Sequence, residues 1–270
     1  MVEITKKYKI GTRRFGLINW VGAWTLYKKE VLRFLIVWVQ TIFSPLISSL
    51  LFLLVLSLAI GTERGEVLGV PFIIFLAPGL IAMQVIQQSF SHSSSSFMIG
   101  KIQGNIVDLL YAPLSAAEVT ISVCLAAVTR SFIIAVVSIL VFYLIIDIQI
   151  KHFFTLILFT FLSSFILGNI GTIAGLWAEK FDHMASVTNF VIVPLSFLSG
   201  TFYTIDRLPS FLKTISEANP FFYMIDGFRY CFIGNADGSI KIGIIYLIIL
   251  SLLSWLVTYI LFKKGYKIKS

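Results

Sequence analysis

The sequence predicts an all-α integral membrane protein with six transmembrane helices, and three observations support this fold class. Hydrophobic residues make up 58% of the 270 residues, charged residues make up 13%, and the mean hydropathy is +0.94. Such a composition leaves too little polar surface for a water-soluble globule. The apolar runs are also continuous over about 20 residues or more, which is typical of membrane helices, whereas barrel strands alternate.

The N-terminal part of the chain combines basic residues with an aromatic helical face. Trp20, Trp24 and Tyr27 recur at spacings of four and three residues, while neighbouring lysines lie off this face. Such an amphipathic helix is expected to lie along the cytoplasmic interface of the membrane. Residues 1–33 are therefore predicted to form a cytoplasmic tail and an interfacial helix.

Six apolar segments are long enough to cross the bilayer, and together they predict a transmembrane domain over residues 34–262. A basic cytoplasmic tail, residues 263–270, follows this domain. The serine-rich segment 89–96 is expected to leave the membrane. The predicted spans are 34–60, 70–88, 118–146, 153–177, 184–202 and 242–262.

The basic residues concentrate on one side of these spans. Of the 21 Lys and Arg residues, 14 fall on the predicted inside and six on the predicted outside, with Arg130 inside a span. Because basic loops remain in the cytoplasm, both termini are predicted to be cytoplasmic. The net charge of +8 reflects this topology. The basic residues form no stripe with interleaved aromatics, so nucleic acid is not an expected partner.

A cytoplasmic loop at residues 97–113 is predicted to contain a short amphipathic helix that Pro113 ends. The apolar face of this helix comprises Ile102, Ile106 and Leu109, and the polar face comprises Lys101, Asn105 and Asp108. Such a helix could dock into a soluble partner, and the alternative is a solvated connector without a partner.

The exterior segment 204–234 is predicted to form a re-entrant helical hairpin. Asn219 provides an N-cap and Pro220 the first helical position of its second helix. Asp226 and Arg229 are expected near the outer headgroups, as candidates for translocation or gating. The alternative for these charges is interfacial snorkelling with local ion pairing.

Arg130 lies within the third predicted span and has no carboxylate near it in sequence. A cation in hydrocarbon is costly unless it reaches water, headgroups or a partner, so Arg130 should face a cavity or an interface. It is therefore a candidate for translocation or gating. The alternative is that the third helix protrudes and carries Arg130 to the cytoplasmic headgroups.

Several signatures of catalysis are missing from the sequence. It contains no Walker A loop, no metal-ligand cluster and no paired carboxylates within a span. We therefore expect no bound cofactor or metal and no enzymatic activity. A disulfide between Cys124 and Cys231 is not expected either. An ion-coupled carrier, a non-transporting scaffold and a membrane-embedded lipid-modifying enzyme remain alternatives, although intramembrane acids are scarce.

Four segments carry a resemblance to a known family. Residues 219–230 read Asn-Pro-Phe-Phe-Tyr-Met-Ile-Asp-Gly-Phe-Arg-Tyr, and residues 77–80, 105–113 and 198–203 add weaker support. In this order they are similar to the permease subunits of type 2 ABC exporters. The nearest subgroup contains bacterial polysaccharide, lipo-oligosaccharide and drug exporters, and the resemblance covers nearly the whole chain.

The resemblance implies partners and roles that composition does not. Such permeases form homodimers in the bacterial inner membrane, surrounded by membrane lipids, and bind two copies of a cytoplasmic ABC ATPase that uses ATP and Mg. The loop 97–113 would be the coupling helix and the aromatic N-terminal helix the connecting helix. The outer hairpin would shape the exit, with Pro220 and Tyr223 as further gating candidates. The implied substrate is amphipathic, a glycan, glycolipid, lipid or drug, and no residue identifies it.

Overall fold

The structure, a computed structural model, describes residues 16, 18–146 and 148–268. Within them, eleven α-helices account for most of the chain. The helices are α1 (Trp20–Ile36), α2 (Ser44–Arg64), α3 (Phe72–Ile102), α4 (Ile106–Tyr111), α5 (Ala116–Ile146), α6 (Phe153–Trp177), α7 (Phe181–Val187), α8 (Val193–Leu198), α9 (Ser210–Ala218), α10 (Pro220–Ile233) and α11 (Ile240–Lys263). The part of the predicted N-terminal tail at residues 1–15 lies outside the described residues.

Shorter elements connect these helices. A π-helical turn, Val39–Phe43, precedes α2, and a second one, Thr188–Ile192, joins α7 to α8. A 3₁₀ turn, Ile205–Arg207, precedes α9. Between α2 and α3, strand β1 (Glu66–Val67) pairs antiparallel with strand β2 (Val70–Pro71), in the register Val67 opposite Val70.

Six helical segments in the described residues are long and apolar enough to cross a membrane, which confirms the predicted fold class. They are Val39–Ala59, Phe72–Ile102, Ala116–Ile146, Phe153–Trp177, Phe181–Leu198 and Ile240–Lys263. We call the end of the bundle that carries α4 the α4 end. The opposite end, which carries α9 and α10, is the hairpin end, and there Asn235 Nδ2 donates to the Leu68 carbonyl.

Helix α3 is the centre of the bundle. It packs against α2, α5, α6 and α10, and most of its side chains are buried. In contrast, α2, the span formed by α7 and α8, and α11 bury few of their side chains within one chain. The arrangement is therefore a tight central group of α3, α5 and α6 with three looser peripheral spans.

The structure extends the helix of the second predicted span beyond its predicted end at residue 88, into the segment 89–96 that is predicted to leave the membrane. Helix α3 continues through this segment, and Ser89, Ser93 and Ser94 are buried. Serine does not require water here, because its hydroxyl can bond within the helix: Ser89 Oγ donates to the Val85 carbonyl over 2.6 Å. The serines also keep this face of α3 small enough for close helix contact.

The predicted ends of two other spans were wrong by a few residues. Residues 34–36 belong to α1, and the first span begins after a break at Val37. The fifth span is Phe181–Leu198 instead of 184–202, because the chain turns at Ser199 and Gly200 before reaching Phe202. Gly200 has a φ of +77°, a left-handed conformation that favours glycine.

Glycines on α6 allow its backbone to approach that of α3. A Cβ atom added at Gly171 would overlap the carbonyl oxygen of Phe90, and one added at Gly175 would lie 2.7 Å from the carbonyl oxygen of Ser94. Small residues at such contacts are a common way for membrane helices to gain packing energy. The two helices therefore pack backbone against backbone where the sequence places serine opposite glycine.

We predict that Gly171→Ala lowers the stability of the purified protein by about 1–3 kcal/mol, because the new methyl group meets backbone that cannot move aside. The thermal unfolding midpoint in detergent is the measurement. Gly100→Ala is the matched control, since a Cβ there meets only Ile106 Cδ1 at 3.7 Å. Equal midpoints for the two variants would contradict the close α3–α6 contact.

Candidate functional site

The short helix α4 lies where the sequence predicted an amphipathic helix. Its buried and exposed residues, however, only partly match the predicted apolar and polar faces. Ile106 is buried against residues of α1, α3, α5 and α11, and Leu109 packs partly against the same cluster. Ile102 is exposed, although it was assigned to the same apolar face. Asn105 and Asp108, from the predicted polar face, are exposed.

The outer surface of α4 is partly apolar. Val107 and Leu110 are about two-fifths exposed and Tyr111 is 85% exposed, so this surface is not covered by the described chain. Gly104, with a φ of +77°, makes the turn that projects α4 from the end of α3. We call Val107, Leu110 and Tyr111 the α4 tip.

Lys101 points away from the α4 tip and towards α6. Its Nζ donates to the Leu176 carbonyl over 2.7 Å and also to the Ala178 carbonyl, so it caps the last turn of α6. Next to it, Lys267 Nζ lies 2.9 Å from Glu179 Oε1, and this hydrogen bond lowers the pKa of the Glu179 carboxyl. The predicted coupling residue Lys101 thus joins the ends of α3 and α6.

The predicted interfacial helix is α1, and its aromatic residues lie at the surface. Trp20 and Trp24 are 73% and 64% exposed. The Tyr27 hydroxyl lies 2.8 Å from Thr129 Oγ1, where either group can donate. The opposite face of α1 carries the buried residues Leu26 and Phe34 and packs against the bundle.

The N-terminal ends of α1 and α5 are joined through one carboxylate. Glu118 Oε2 accepts from the Ser115 N–H over 2.6 Å, while the Glu118 N–H donates to Ser115 Oγ. This reciprocal pair is a capping box. The second oxygen, Oε1, accepts from the Asn19 N–H over 2.6 Å. The Ser-Ala-Ala-Glu pattern at 115–118 could have predicted the cap, but not its bond to Asn19.

A cavity of about 620 Å³ lies between α1, the first π turn, α2, α3 and α5. Eleven of its 15 lining residues are polar, which is unusual for a helical bundle of this hydropathy, and we call it the polar cavity. It is lined by Arg33, Phe34, Val37, Gln40, Thr41, Ser44, Pro45, Ser48, Gln84, Gln87, Gln88, Ser91, Ser95, Ile99 and Arg130. The exposed members Gln40, Ser44 and Ser48 mark its open side.

Arg33 forms one wall of the polar cavity and is held by several partners. Its Nε lies 2.9 Å from Glu30 Oε2, and its two Nη atoms donate to Ser95 Oγ over 3.1 Å and to the His92 carbonyl over 2.9 Å. Glu30 is buried, so this ion pair is largely removed from solvent. The geometry fixes the Arg33 guanidinium between α1 and α3.

Arg130 forms another wall and is less well satisfied. Arg130 is 7% exposed and lies near the middle of the 31-residue helix α5, so the protein itself buries it. Its Nη2 donates to Gln88 Oε1, but its buried Nε has no hydrogen-bond partner. No carboxylate lies within ion-pair distance of Arg130 in the described residues.

Sequence reasoning missed most of this cavity. Arg33 was counted only as a topology signal, and the glutamines of α3 were not considered. Gln84, Gln88, Ser91 and Ser95 are spaced by four, three and four residues, which places them on one helical face. That row of polar residues within an apolar span could have predicted the side of the polar cavity that α3 forms.

The candidates on α10 lie in a different place, at the hairpin end. Asn219 caps α10 by accepting from the Phe221 N–H over 3.1 Å, and Pro220 takes the first helical position. Tyr223 packs against Tyr246, with ring centroids 5.2 Å apart and ring planes tilted by 55°. None of the α10 candidates lines the polar cavity, so the structure does not bring them together with Arg130.

Asp226 and Arg229, which are predicted to lie near the outer headgroups, are buried within the protein at the hairpin end. They are 2% and 1% exposed. Asp226 accepts from the N–H groups of Asp237 and Gly238, each over 2.9 Å. The two side chains are buried because the turn after α10 folds back over them, a contact that local sequence does not reveal.

Arg229 connects α10 to two other spans. Its Nη2 donates to the Gly200 carbonyl over 2.6 Å, and its guanidinium carbon lies 4.0 Å from the centroid of the Phe75 ring. Such a cation–π contact is strong where water is excluded. Asp226 Oδ1 lies 3.9 Å from Arg229 Nη1 and offsets part of its charge. These contacts hold the hairpin onto α3 and the end of α8.

Comparisons with known proteins agree with this architecture. The sequence model of the ABC-2 type transporter family matches residues 22–233. The chain is 30% identical over 253 residues to the inner membrane transport permease YadH of Escherichia coli K12, covering 94% of this chain and 99% of that protein. Nodulation protein J of Rhizobium leguminosarum bv. viciae is 24% identical over 263 residues, covering 91% and 95% of the two chains.

These matches confirm the resemblance drawn from the four short segments. The family match begins in α1 and ends at the last residue of α10, so it contains the α4 tip and the polar cavity. The match to YadH covers almost the full length of both chains. The chain therefore belongs to the ABC-2 type transporter family.

Proposed function

We propose that this chain is the permease subunit of an ATP-driven exporter, and that two copies work with two copies of a separate cytoplasmic ABC ATPase. The observation that carries the proposal is the uncovered α4 tip on a chain of this transporter family. The ATPase would supply the ATP and Mg chemistry. The name of YadH, an inner membrane transport permease, supports a bacterial inner-membrane location. The concentration of Lys and Arg on one side of the predicted spans supports both termini and α4 in the cytoplasm.

The α4 tip is suited to transmit movement from a soluble partner. Ile106 anchors α4 in the cluster of buried residues at the α4 end, and Lys101 joins the end of α3 to that of α6. A force on the tip would therefore reach α1, α3, α5 and α6 together instead of bending one loop. Rigid-body movement of packed helices is a common way to couple a partner to a transport path.

A second copy of the chain is proposed to cover the open side of the polar cavity. Lipid can cover an apolar helix face, but it would leave the side chains of Gln40 and Ser44 without polar partners, whereas Ser48 Oγ donates to the Ser44 carbonyl over 3.0 Å. These residues are exposed along the first π turn and α2. A homodimer formed across this face would shield the cavity from the acyl chains and enclose a polar path for an amphipathic glycan, glycolipid, lipid or drug.

The double substitution Val107→Glu and Leu110→Glu tests the ATPase contact. Both side chains are exposed, so the fold should persist, while two new charges face the partner's surface. We expect at least about tenfold less ATPase recovered with the tagged permease, equivalent to 1.4 kcal/mol. Affinity purification of the tagged permease from membranes of the native cell, followed by an assay of the ATP hydrolysis that co-purifies, provides the measurement.

The control for this experiment is Phe211→Glu on α9, which introduces a charge at a residue 73% exposed at the hairpin end. It should recover as much ATPase as the wild-type chain. Full recovery by the double variant would rule out the α4 tip as the docking surface.

Single cysteines test the proposed dimer face. Ser44→Cys and Ser48→Cys should each give a disulfide-linked species of twice the 30.3 kDa chain mass after mild oxidation in membranes. The native cysteines are both buried and should not interfere. Denaturing electrophoresis without reductant detects the product.

Ile245→Cys is the matched control, because Ile245 is 60% exposed on α11, which packs on α5, α6 and α10 and is a different helix from α2. It should remain monomeric on the gel. Cross-linking at Ile245 without cross-linking at either α2 position would place the dimer contact elsewhere.

A further inference from the structure

The polar cavity carries more positive than negative charge. Arg33 and Arg130 both line it, whereas the nearby carboxylate of Glu30 is already paired with Arg33 over 2.9 Å. Arg130 has no carboxylate within 4 Å among the described residues. Every titratable side chain that lines the cavity is therefore a guanidinium.

Donor groups at the cavity also remain unused. The Nε atom of Arg130 and the Nε2 atom of Gln87 are buried and have no hydrogen-bond partner, although both residues line the cavity. Unmade hydrogen bonds of buried polar groups cost free energy. These two atoms have almost no accessible surface, so a ligand would be held mainly by charge: an anionic group in the cavity would offset the charge of Arg130.

The structure assigns the polar cavity as a binding site for a phosphate-bearing headgroup. A guanidinium matches phosphate well because its planar N–H groups can donate two parallel hydrogen bonds. The cavity volume of about 620 Å³ is sufficient for a phosphate with an attached polar group. The apolar lining residue Val37 is 46% exposed, so an acyl chain could extend past it into the bilayer.

This assignment deepens the proposed function. It rests on that function in one respect, namely that the cavity is part of the transport path. Binding itself requires only the permease. It can therefore be measured without the ATPase, and ATPase recovery reports on the proposed function separately. If the permease binds phosphate but recovers no ATPase, the binding site stands and the exporter proposal fails. If it recovers the ATPase but binds no phosphate, the exporter proposal stands and the binding site fails.

The experiment titrates the purified full-length permease in detergent with dioleoylphosphatidic acid and follows the thermal unfolding midpoint. Dioleoylglycerol is the uncharged match, since it has the same acyl chains without the phosphate. We expect a saturable rise in the midpoint with phosphatidic acid and a much smaller one with dioleoylglycerol. Equal rises for the two lipids would overturn the assignment.

A titration with inorganic phosphate distinguishes a lipid headgroup from a soluble phosphate as the ligand. The phosphate is added as its sodium salt, and sodium chloride at equal ionic strength is the control. Saturation by phosphatidic acid alone identifies a lipid headgroup. Saturation by inorganic phosphate with the same dependence on Arg130 supports the site as one for a soluble phosphate. No saturable effect of either ligand would contradict the site.

Substitutions identify the cavity as the place of binding. Arg130→Gln should weaken phosphatidic acid binding at least about tenfold, and Arg130→Lys should weaken it less, because lysine keeps the charge but not the fork geometry. Arg207→Gln is the control, since Arg207 is exposed at the hairpin end. Unchanged binding in Arg130→Gln would refute the assignment.

A second pair of variants keeps the test valid if changes at Arg130 prevent folding. Ser91 is exposed on the cavity wall, so Ser91→Asp adds a carboxylate without removing a structural contact of Arg130. It should weaken phosphatidic acid binding at least about tenfold through like-charge repulsion, whereas the isosteric, neutral Ser91→Asn should bind like the wild type. Equal binding by the two variants would refute the assignment.

Discussion

The close contact between α3 and α6 is the constraint on which the rest of the structure depends. Glycines 171 and 175 allow the α6 backbone to reach that of α3, so α3 becomes the axis of the bundle. Its remaining faces then serve three regions: the polar cavity near its middle, Arg229 above Phe75 at the hairpin end, and α4 at the other end. A shift of α3 relative to α6 would therefore disturb all three.

Two buried arginines show how differently the chain treats positive charge in an apolar environment. Arg229 has a carbonyl, an aromatic ring and a nearby carboxylate around it, so its role is to hold elements together. Arg130 has a glutamine oxygen and an unused N–H group. A membrane protein that only needed packing could use an apolar side chain at this position, since an uncompensated cation lowers stability.

Hydropathy was sufficient to predict six spans, because their length and apolar character are local properties. It failed to predict that α3 continues through 89–96. A serine-rich helical segment, in which hydroxyl groups bond to backbone carbonyls of the same helix, has the same composition as an exposed loop. Hydropathy did not reveal the burial of Asp226, whose partners are backbone groups eleven and twelve residues further along the chain. The candidate site was predicted only through Arg130, since the cavity arises from residues of five separate elements.

The first π-helical turn, Val39–Phe43, has a consequence for how α1 and α2 are related. A π turn contains about one residue more than an α turn, so the side chains on either side of it are offset by roughly 100° about the helix axis. This offset allows Arg33 on α1 and Ser48 on α2 to line the same cavity. The number of residues in the π turn, and not only their chemistry, therefore sets which faces of α1 and α2 point towards the cavity.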